Sequence, residues 1–371
     1  MKQGWTYKKL GDLCDIYQPK TLATEQLVAD GKYYVYGANG IIGRYNDYNH
    51  EQSEILLTCR GATCGTINIS QPYSWINGNA MVIHRKSEDL SFDFLKYLML
   101  SLDYSLIITG AAQPQITRQK IAPIIVKFPS LSVQQSIVSE LDKINELIRL
   151  KKEQLKDYDN LAQSIFYEMF GDPVVNEKGW DNSTIESVCS SIVRGPFGSA
   201  LKKEFFVEST NDTYKVYEQK HAIQKNHIIG SYYITKEKFQ ELRRFEVFPG
   251  DIIMSCSGTI GEFYQIPKEA EKGVMNQALL KFTLNENRTT TEFFMFLMNF
   301  IKNSFETKGT GLQNIGSVKV IKSMILGLPP LSLQQLFAQR IELIEKQKAE
   351  IQSTIADLET LLASRMQYWF D

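Results

Sequence analysis

Pro129-Ser130-Leu131-Ser132-Val133-Gln134-Gln135 returns 200 positions later as Pro329-Pro330-Leu331-Ser332-Leu333-Gln334-Gln335. A proline lacks an N–H and stops a helix from running through it, so each copy closes one segment and opens another. Ser132 and Ser332 stand where N-cap serines stand, and Gln135 and Gln335, three residues on, complete an S-x-x-Q capping box. Downstream, apolar residues recur at spacings of four and three. The first copy reads Ile137, Leu141, Ile144, Ile148, Lys151, Leu155, Tyr158, Ala162, Ile165 and Met169. The second reads Phe337, Ile341, Ile344, Lys348, Ile351, Ile355, Leu358, Leu362, Arg365 and Trp369, in register with the first. A mean spacing of 3.5 marks a coiled-coil seam rather than a simple amphipathic face. Lys151, Lys348 and Arg365 weaken that seam unless their stems carry the charge past its edge. Ser132–Phe170 would make a helix about 58 Å long at ~1.5 Å per residue, a spacer of set length and not a flexible linker.

The duplication extends outward from these helices. Gly4-Trp5 and Cys14 are matched by Gly179-Trp180 and Cys189, and Ile55-Leu-Leu-Thr-Cys-Arg-Gly61 by Ile252-Ile-Met-Ser-Cys-Ser-Gly258. Asn79-Ala80-Met81-Val82 is echoed by Gln277-Ala278-Leu279-Leu280, and Gln113-Pro-Gln-Ile116 by Leu312-Gln-Asn-Ile315. The order is the same in both halves, so the chain is a tandem repeat of one globular part plus one helix. The expected segments are residues 1–129, 130–171, 172–329 and 330–371. The offset grows from 175 at the tryptophans to 200 at the prolines, which places the extra residues of the second globular part mainly within 193–250. An antiparallel helix pair is preferred, since a parallel one would require the second globular part to span the whole rod.

Composition narrows the class. The 371 residues carry a formal net charge of −1, which excludes a protein that grips nucleic acid by bulk positive charge and a polyanionic tail protein. Apolar residues at 43% against 22% charged mark a folded chain. There is no apolar run of membrane-spanning length and no signal-like start, so a cytoplasmic location without membrane contact is expected. Five scattered cysteines without a C-x-x-C pair, and four histidines without ligand spacing, argue against structural zinc. Residues 1–129 carry +2, 130–171 −2, 172–329 +1 and 330–371 −2, so the globular parts are slightly basic and the rod acidic. Phosphate contacts dominate affinity for DNA, so the chain alone should bind it weakly.

Both globular parts mix short apolar runs (Tyr33–Tyr36, Ile55–Thr58, Thr66–Ile69, Ala80–His84, Ile252–Ser255, Leu279–Thr283) with turn signals such as Asn39-Gly40. Each also has one apolar helix, over Phe92–Ser105 and Glu292–Ser304. The expected fold class is therefore α+β, with two repeated globular domains separated by two long α-helices that form an antiparallel coiled coil. Arg reads guanine, and Gln or Asn adenine, through bidentate hydrogen bonds. On that chemistry the candidates are Arg44, Arg60, Gln113, Gln115, Arg118, Arg194, Lys202, Lys203, Lys220, Ser257, Thr259, Gln313 and Asn314, serving bases or phosphates. No catalytic motif holds: there is no Walker loop, H-E-x-x-H or G-x-S-x-G, and the proline of Gly195-Pro-Phe-Gly198 spoils a phosphate cradle.

Two globular parts alternating with two helices, each announced by Pro-x-Leu-Ser-x-Gln-Gln, resemble the specificity subunit of Type I restriction-modification systems over the whole chain. Tyr36-Gly-Ala-Asn-Gly40, Cys59-Arg-Gly61, Gly110-Ala-Ala-Gln113 and Phe128–Gln135 are similar to that family's landmarks. Ser and Gln stand where the family often has acidic residues. The resemblance implies that each globular part is a target-recognition domain reading half of a bipartite, asymmetric double-stranded DNA site. The rod would set the gap, with half-site centres between ~34 Å and the helix length apart. It would also dock DNA-adenine methyltransferase (modification) subunits, which would carry S-adenosylmethionine. A restriction subunit, a translocase and nuclease using ATP and Mg, would join them. This chain would hold no cofactor and catalyse nothing. The alternative is a coiled-coil scaffold or adaptor whose twin domains bind protein or carbohydrate. Neighbouring reading frames for a methyltransferase and a helicase-nuclease would separate the two.

Overall fold

The computed structural model describes residues 4–110, 113–257, 259–307 and 318–371, with the side chains of 303–307 excepted. Gln313 and Asn314 lie outside the described residues. The chain divides into two compact units, Met1–Glu153 with Gln352–Asp371 and Gln154–Ile351.

Unit 1 opens with β1 (Thr6–Lys9) and β2 (Cys14–Tyr17), followed by the hairpin β3 (Tyr33–Gly37) and β4 (Gly40–Tyr45). The Asn39-Gly40 signal is this hairpin turn, with Gly40 at φ +107°, a conformation that side chains with a Cβ rarely adopt. Next come β5 (Ile55–Thr58), β6 (Ile67–Ile69), β7 (Trp75–Ile76), β8 (Ala80–Arg85), helix α1 (Phe92–Ser101), helix α2 (Arg118–Ile121) and β9 (Ile125–Phe128). One sheet has the order β2-β8-β5-β6, a second β4-β3-β7, and β1 pairs antiparallel with β9. The four residues of β5 are all buried, as befits a continuous apolar run in a central strand. Ile55 and Leu57 share a core with Phe94, Leu95 and Leu98 of α1, while Leu56 packs on the other face with Tyr36 and Ile76.

Unit 2 repeats the plan. It has β10 (Asp181–Thr184), β11 (Cys189–Arg194), β12 (Tyr214–Tyr217), helix α3 (Gln219–Ile223), β13 (Tyr233–Ile234), β14 (Glu246–Val247), β15 (Ile252–Ser255), β16 (Phe263–Gln265), β17 (Gly273–Met275), β18 (Leu279–Leu284), helix α4 (Thr291–Thr307), helix α5 (Val318–Lys322) and β19 (Ile325–Leu328). The sheet β11-β18-β15-β16 matches β2-β8-β5-β6, and β10 pairs with β19 as β1 does with β9. The parallel pair β12–β17 matches β3–β7. The added residues fall largely between β12 and β15, where residues 218–251 stand in place of 38–54. They build α3, β13 and β14, so the second sheet gains a strand, in the order β13-β12-β17-β14.

The long helices, α6 (Leu131–Phe170) and α7 (Leu331–Phe370), are each 40 residues. Both begin two residues earlier than a capping box with Ser132 and Ser332 as N-caps places them. Ser132 and Ser332 therefore sit inside the first turn, and Gln135 and Gln335 are exposed. The residue that holds each start is the preceding glutamine, fully buried in both copies. The Gln134 amide donates to the carbonyls of Pro129 (2.9 Å) and Asp89 (2.7 Å), and its oxygen accepts from the Ser91 N–H (2.8 Å). Gln334 donates to Pro329 (2.9 Å) and Arg288 (3.1 Å) and accepts from Thr290 (3.1 Å). Ser91 and Thr290 in turn cap α1 and α4 by accepting from Phe94 and Phe293. One amide thus ties the starts of two helices. Gln134→Ala removes the partner of the buried Pro129 carbonyl and of the part-buried Asp89 and Ser91 main-chain groups, at ~1–3 kcal/mol for a group left stranded away from water. The expected outcome is a lower urea midpoint for the transition of unit 1; an unmoved midpoint would mean that water replaces the amide.

Within each unit the long helices run antiparallel. In unit 1, Glu140 of α6 accepts from Arg365 and from the Trp369 indole (3.0 Å), while Lys152 meets Glu359 at 2.8 Å. In unit 2, Asp159 meets Lys348 at 2.8 Å and the Phe166 ring lies 5.5 Å from that of Phe337. Two of the charged seam residues, Arg365 and Lys348, thus reach carboxylates on the facing helix. Ile137, Leu141, Ile144, Ile148, Ile341, Ile344, Ile351 and Ile355 are buried, and Leu155, Tyr158, Leu358 and Leu362 half-buried. Toward the helix C-termini the buried positions move to Phe166, Phe170 and Phe370, with Ile165, Met169 and Trp369 half-buried beside them. A straight helix drifts ~20° per heptad, which brings its apolar face onto the globular core as well as the partner helix. There Phe170 meets Phe293 at 4.9 Å and Phe370 meets Phe94 at 5.3 Å between ring centroids.

Candidate nucleic-acid interface

The connections at one end of the two sheets of unit 1 converge, held by main-chain bonds between residues far apart in sequence. The N–H of Asn77 donates to the carbonyl of Tyr36 (2.9 Å), that of Ile116 to Cys59 (3.0 Å), and that of Gly61 to Pro114 (3.0 Å). Thr109 and Gln115 exchange N–H···O bonds of 2.9 and 2.8 Å, closing a small loop, and Arg60 bridges to Gln115. This frame brings Arg60, Gln113 and Gln115 together, all three exposed. It also gathers residues that sequence reading passed over. Gln18 donates to the Cys59 sulfur (3.0 Å) and the Gly78 carbonyl (2.9 Å), and Thr63 donates to the Asn39 side-chain oxygen (2.5 Å). A polar residue between the end of a strand and Pro19 was the signal available for Gln18; nothing local marks Thr63.

Unit 2 repeats part of this frame, the segment matching Thr109–Ile116 lying outside the described residues. Asn276 donates to Tyr217 (2.9 Å) as Asn77 does to Tyr36, and Gly261 to Ser255 (2.9 Å) as Gly65 does to Thr58 (2.9 Å). The side chains on it differ. The Ser257 hydroxyl donates to Gln219 Oε1 (2.6 Å), the Arg194 Nε–H donates to the Gln277 carbonyl (3.1 Å), and the Ser255 hydroxyl donates to the carbonyl of the exposed Thr259 (2.6 Å). Gln219 and Gln277 join the candidates here.

The other candidates are placed elsewhere. Arg44 faces Tyr34 across the hairpin ladder, away from the turn; its guanidinium lies 4.4 Å over the Tyr34 ring and donates to the Tyr34 hydroxyl and the Gly31 carbonyl. Arg118 is exposed at the start of α2. Lys202 meets Glu204 at 3.7 Å, beside the exposed Lys203, in the connection after β11. Lys220, on α3, meets Glu218 at 2.6 Å.

The chemistry of both frames is recognition chemistry. Arginine and amide side chains on a rigid support offer paired donors and acceptors. Burial pushes the Cys59 thiol up, and that of Cys256 to about 11, against the opposing pull of Arg194, so neither is a thiolate near neutral pH. Among the described residues no group of three or more His, Cys, Asp or Glu is placed to hold a metal ion, and no helix is long and apolar enough to cross a membrane.

The family model for the Type I restriction modification DNA specificity domain matches residues 2–157 and again 177–360. A Haemophilus influenzae protein named as a type I restriction enzyme specificity subunit is 23% identical over 335 residues, 86% of this chain and 82% of its own. A Mycoplasma pneumoniae protein named as a type I specificity subunit is 25% identical over 178 residues, 47% of each chain. Among solved structures, the S subunit of a Type-I restriction-modification system from M. genitalium superposes with a TM-score of 0.56 at 14% identity, covering 99% of this chain and 96% of that one. A chain from a structural study of complex assembly and conformational transition in the type I R-M system gives 0.63 at 17% identity, covering 99% and 97%.

Proposed function

Because this chain belongs to the Type I restriction-modification DNA specificity family, we propose that each of its units reads one half of a bipartite, asymmetric double-stranded DNA site. One observation carries this reading: among the described residues the two units repeat the main-chain bonds Asn77–Tyr36 with Asn276–Tyr217 and Gly65–Thr58 with Gly261–Ser255, and carry different side chains around them. Gln18, Arg60, Gln113 and Gln115 stand on the first, and Arg194, Gln219, Ser257 and Thr259 on the second. Identical dressing would suit a palindrome; different dressing suits two unlike half-sites.

The paired helices set the gap between the half-sites and dock DNA-adenine methyltransferase subunits. Those partners bring S-adenosylmethionine, and a restriction subunit brings ATP- and Mg-dependent translocation and cleavage, so this chain recognises without catalysing. The work is intracellular, on DNA.

Single-molecule sequencing of DNA methylated by the chain with its methyltransferase tests the reading. The expected product is one adenine-methylated motif with two unlike specified halves around an unspecified gap; a contiguous or palindromic motif would overturn it. Arg60→Ala should cost roughly 1–3 kcal/mol of discrimination and relax the first half alone, if Arg60 meets a base edge. Unchanged selectivity in a methylation assay on single-base variants of the site would remove Arg60 from the reading set.

A further inference from the structure

A second surface of unit 2 has a different chemistry. A groove of about 610 Å³ runs between the edge strand β11, the turn Arg243–Phe245 and helix α5. Arg194, Arg244, Lys319 and Lys322 line it against a single carboxylate, Glu186, which meets Lys322 at 2.9 Å. Its walls are apolar, from Ile192, Val193 and Val318. A concave surface with one sign of charge and low-dielectric walls focuses its field on whatever enters.

We propose that this groove grips the DNA phosphodiester backbone and that unit 2 thereby anchors the complex electrostatically; the proposal deepens the DNA-reading function and rests on it. The lining argues for phosphate over base edges. It contains no Asn or Gln, and lysine ammonium groups attract phosphate as point charges without reading a base. The groove is also continuous with the reading frame, because Arg194 both lines it and donates to the Gln277 carbonyl.

Unit 1 arranges its charge differently. On the helix matching α5, Gln119 and Ala122 stand where unit 2 has Lys319 and Lys322, while Arg118 and Lys120 stand where unit 2 has Val318 and Val320. Arg244 falls in the stretch that unit 2 has gained, so this combination of groove-lining cations belongs to unit 2.

The test uses the full chain and a duplex of mixed sequence, about 40 base pairs long, followed by fluorescence anisotropy from about 50 to 200 mM KCl. Each phosphate that is no longer neutralised lowers the slope of log K against log salt by about 0.9. The triple variant Arg244→Gln, Lys319→Gln, Lys322→Gln should lower it by roughly two to three and weaken binding at low salt. The charge-preserving pair Lys319→Arg, Lys322→Arg should keep the wild-type slope, which separates the effect of charge from that of structure. A wild-type slope in the triple variant would overturn the groove while leaving the DNA reading intact. So would a triple variant that binds DNA normally but no longer co-purifies with the methyltransferase subunits, since the groove would then face an acidic protein surface. Wild-type chain that fails to bind the duplex at any salt even when assembled with its methyltransferase subunits would overturn the DNA reading and the groove together.

Discussion

Exchanging residues 1–129 for the globular part of another family member should rewrite one half of the methylated sequence and leave the other half and the gap unchanged. The exchange is clean for a physical reason. Every side chain assigned to the first frame, from Gln18 to Gln115, lies inside the replaced stretch. The joint behind it is largely independent of the donor's sequence, because Gln134 bonds only to main-chain groups of Asp89, Ser91 and Pro129. Side-chain contacts to the helices include a Lys96–Asp142 ion pair at 3.7 Å and two aromatic anchors. Tyr97 donates to Asp142 (2.5 Å) and accepts from Asn145 (3.0 Å), and Phe94 packs on Phe370. A donor keeping an aromatic residue and a tyrosine there should assemble. Methylome sequencing reads the result, and a methylated motif identical to the wild type would refute the division of labour between the units.

Adding one heptad to each long helix should lengthen the unspecified gap. The antiparallel pairing dictates where the insertions go: beside Lys152 in α6 and beside Glu359 in α7, which face each other at 2.8 Å. Seven residues add about 10 Å at ~1.5 Å per residue, equal to up to about 3 base pairs of duplex at ~34 Å per turn. A heptad keeps the seam facing its partner, so Ile148 and Ile355 stay buried on their side of the insertion. Seven residues in α6 alone would break the register and should abolish methylation instead. An unaltered gap in the doubly extended protein would mean that the helices do not act as a ruler.

How far the sequence can be read depends on how local each interaction is. Ile55–Thr58 and Ile252–Ser255 coincide with strands to the residue, since continuous apolar runs bounded by turns have few other solutions. The helix starts came out two residues off because a serine in the right place is only the commonest of several caps. Gln134 and Gln334 instead tie each start to main-chain groups at 89–91 and 288–290, partners that no local pattern points to. Arg44, named as a base or phosphate contact, shows another kind of non-local partner: the ring of Tyr34 sits across the strand pair to receive its guanidinium.

The duplicated order of elements, the two long helices and their apolar seams were determined by the sequence alone, because helix periodicity and turn chemistry act over a few residues at a time. Only the tertiary structure decided which polar side chains share a surface. Gln18 meets Cys59, Ser257 meets Gln219, and Arg194 joins Arg244 and Lys322 around one groove. Those meetings depend on where segments 38 to 128 residues apart are carried by sheets, and that placement is fixed by the packing of the whole core.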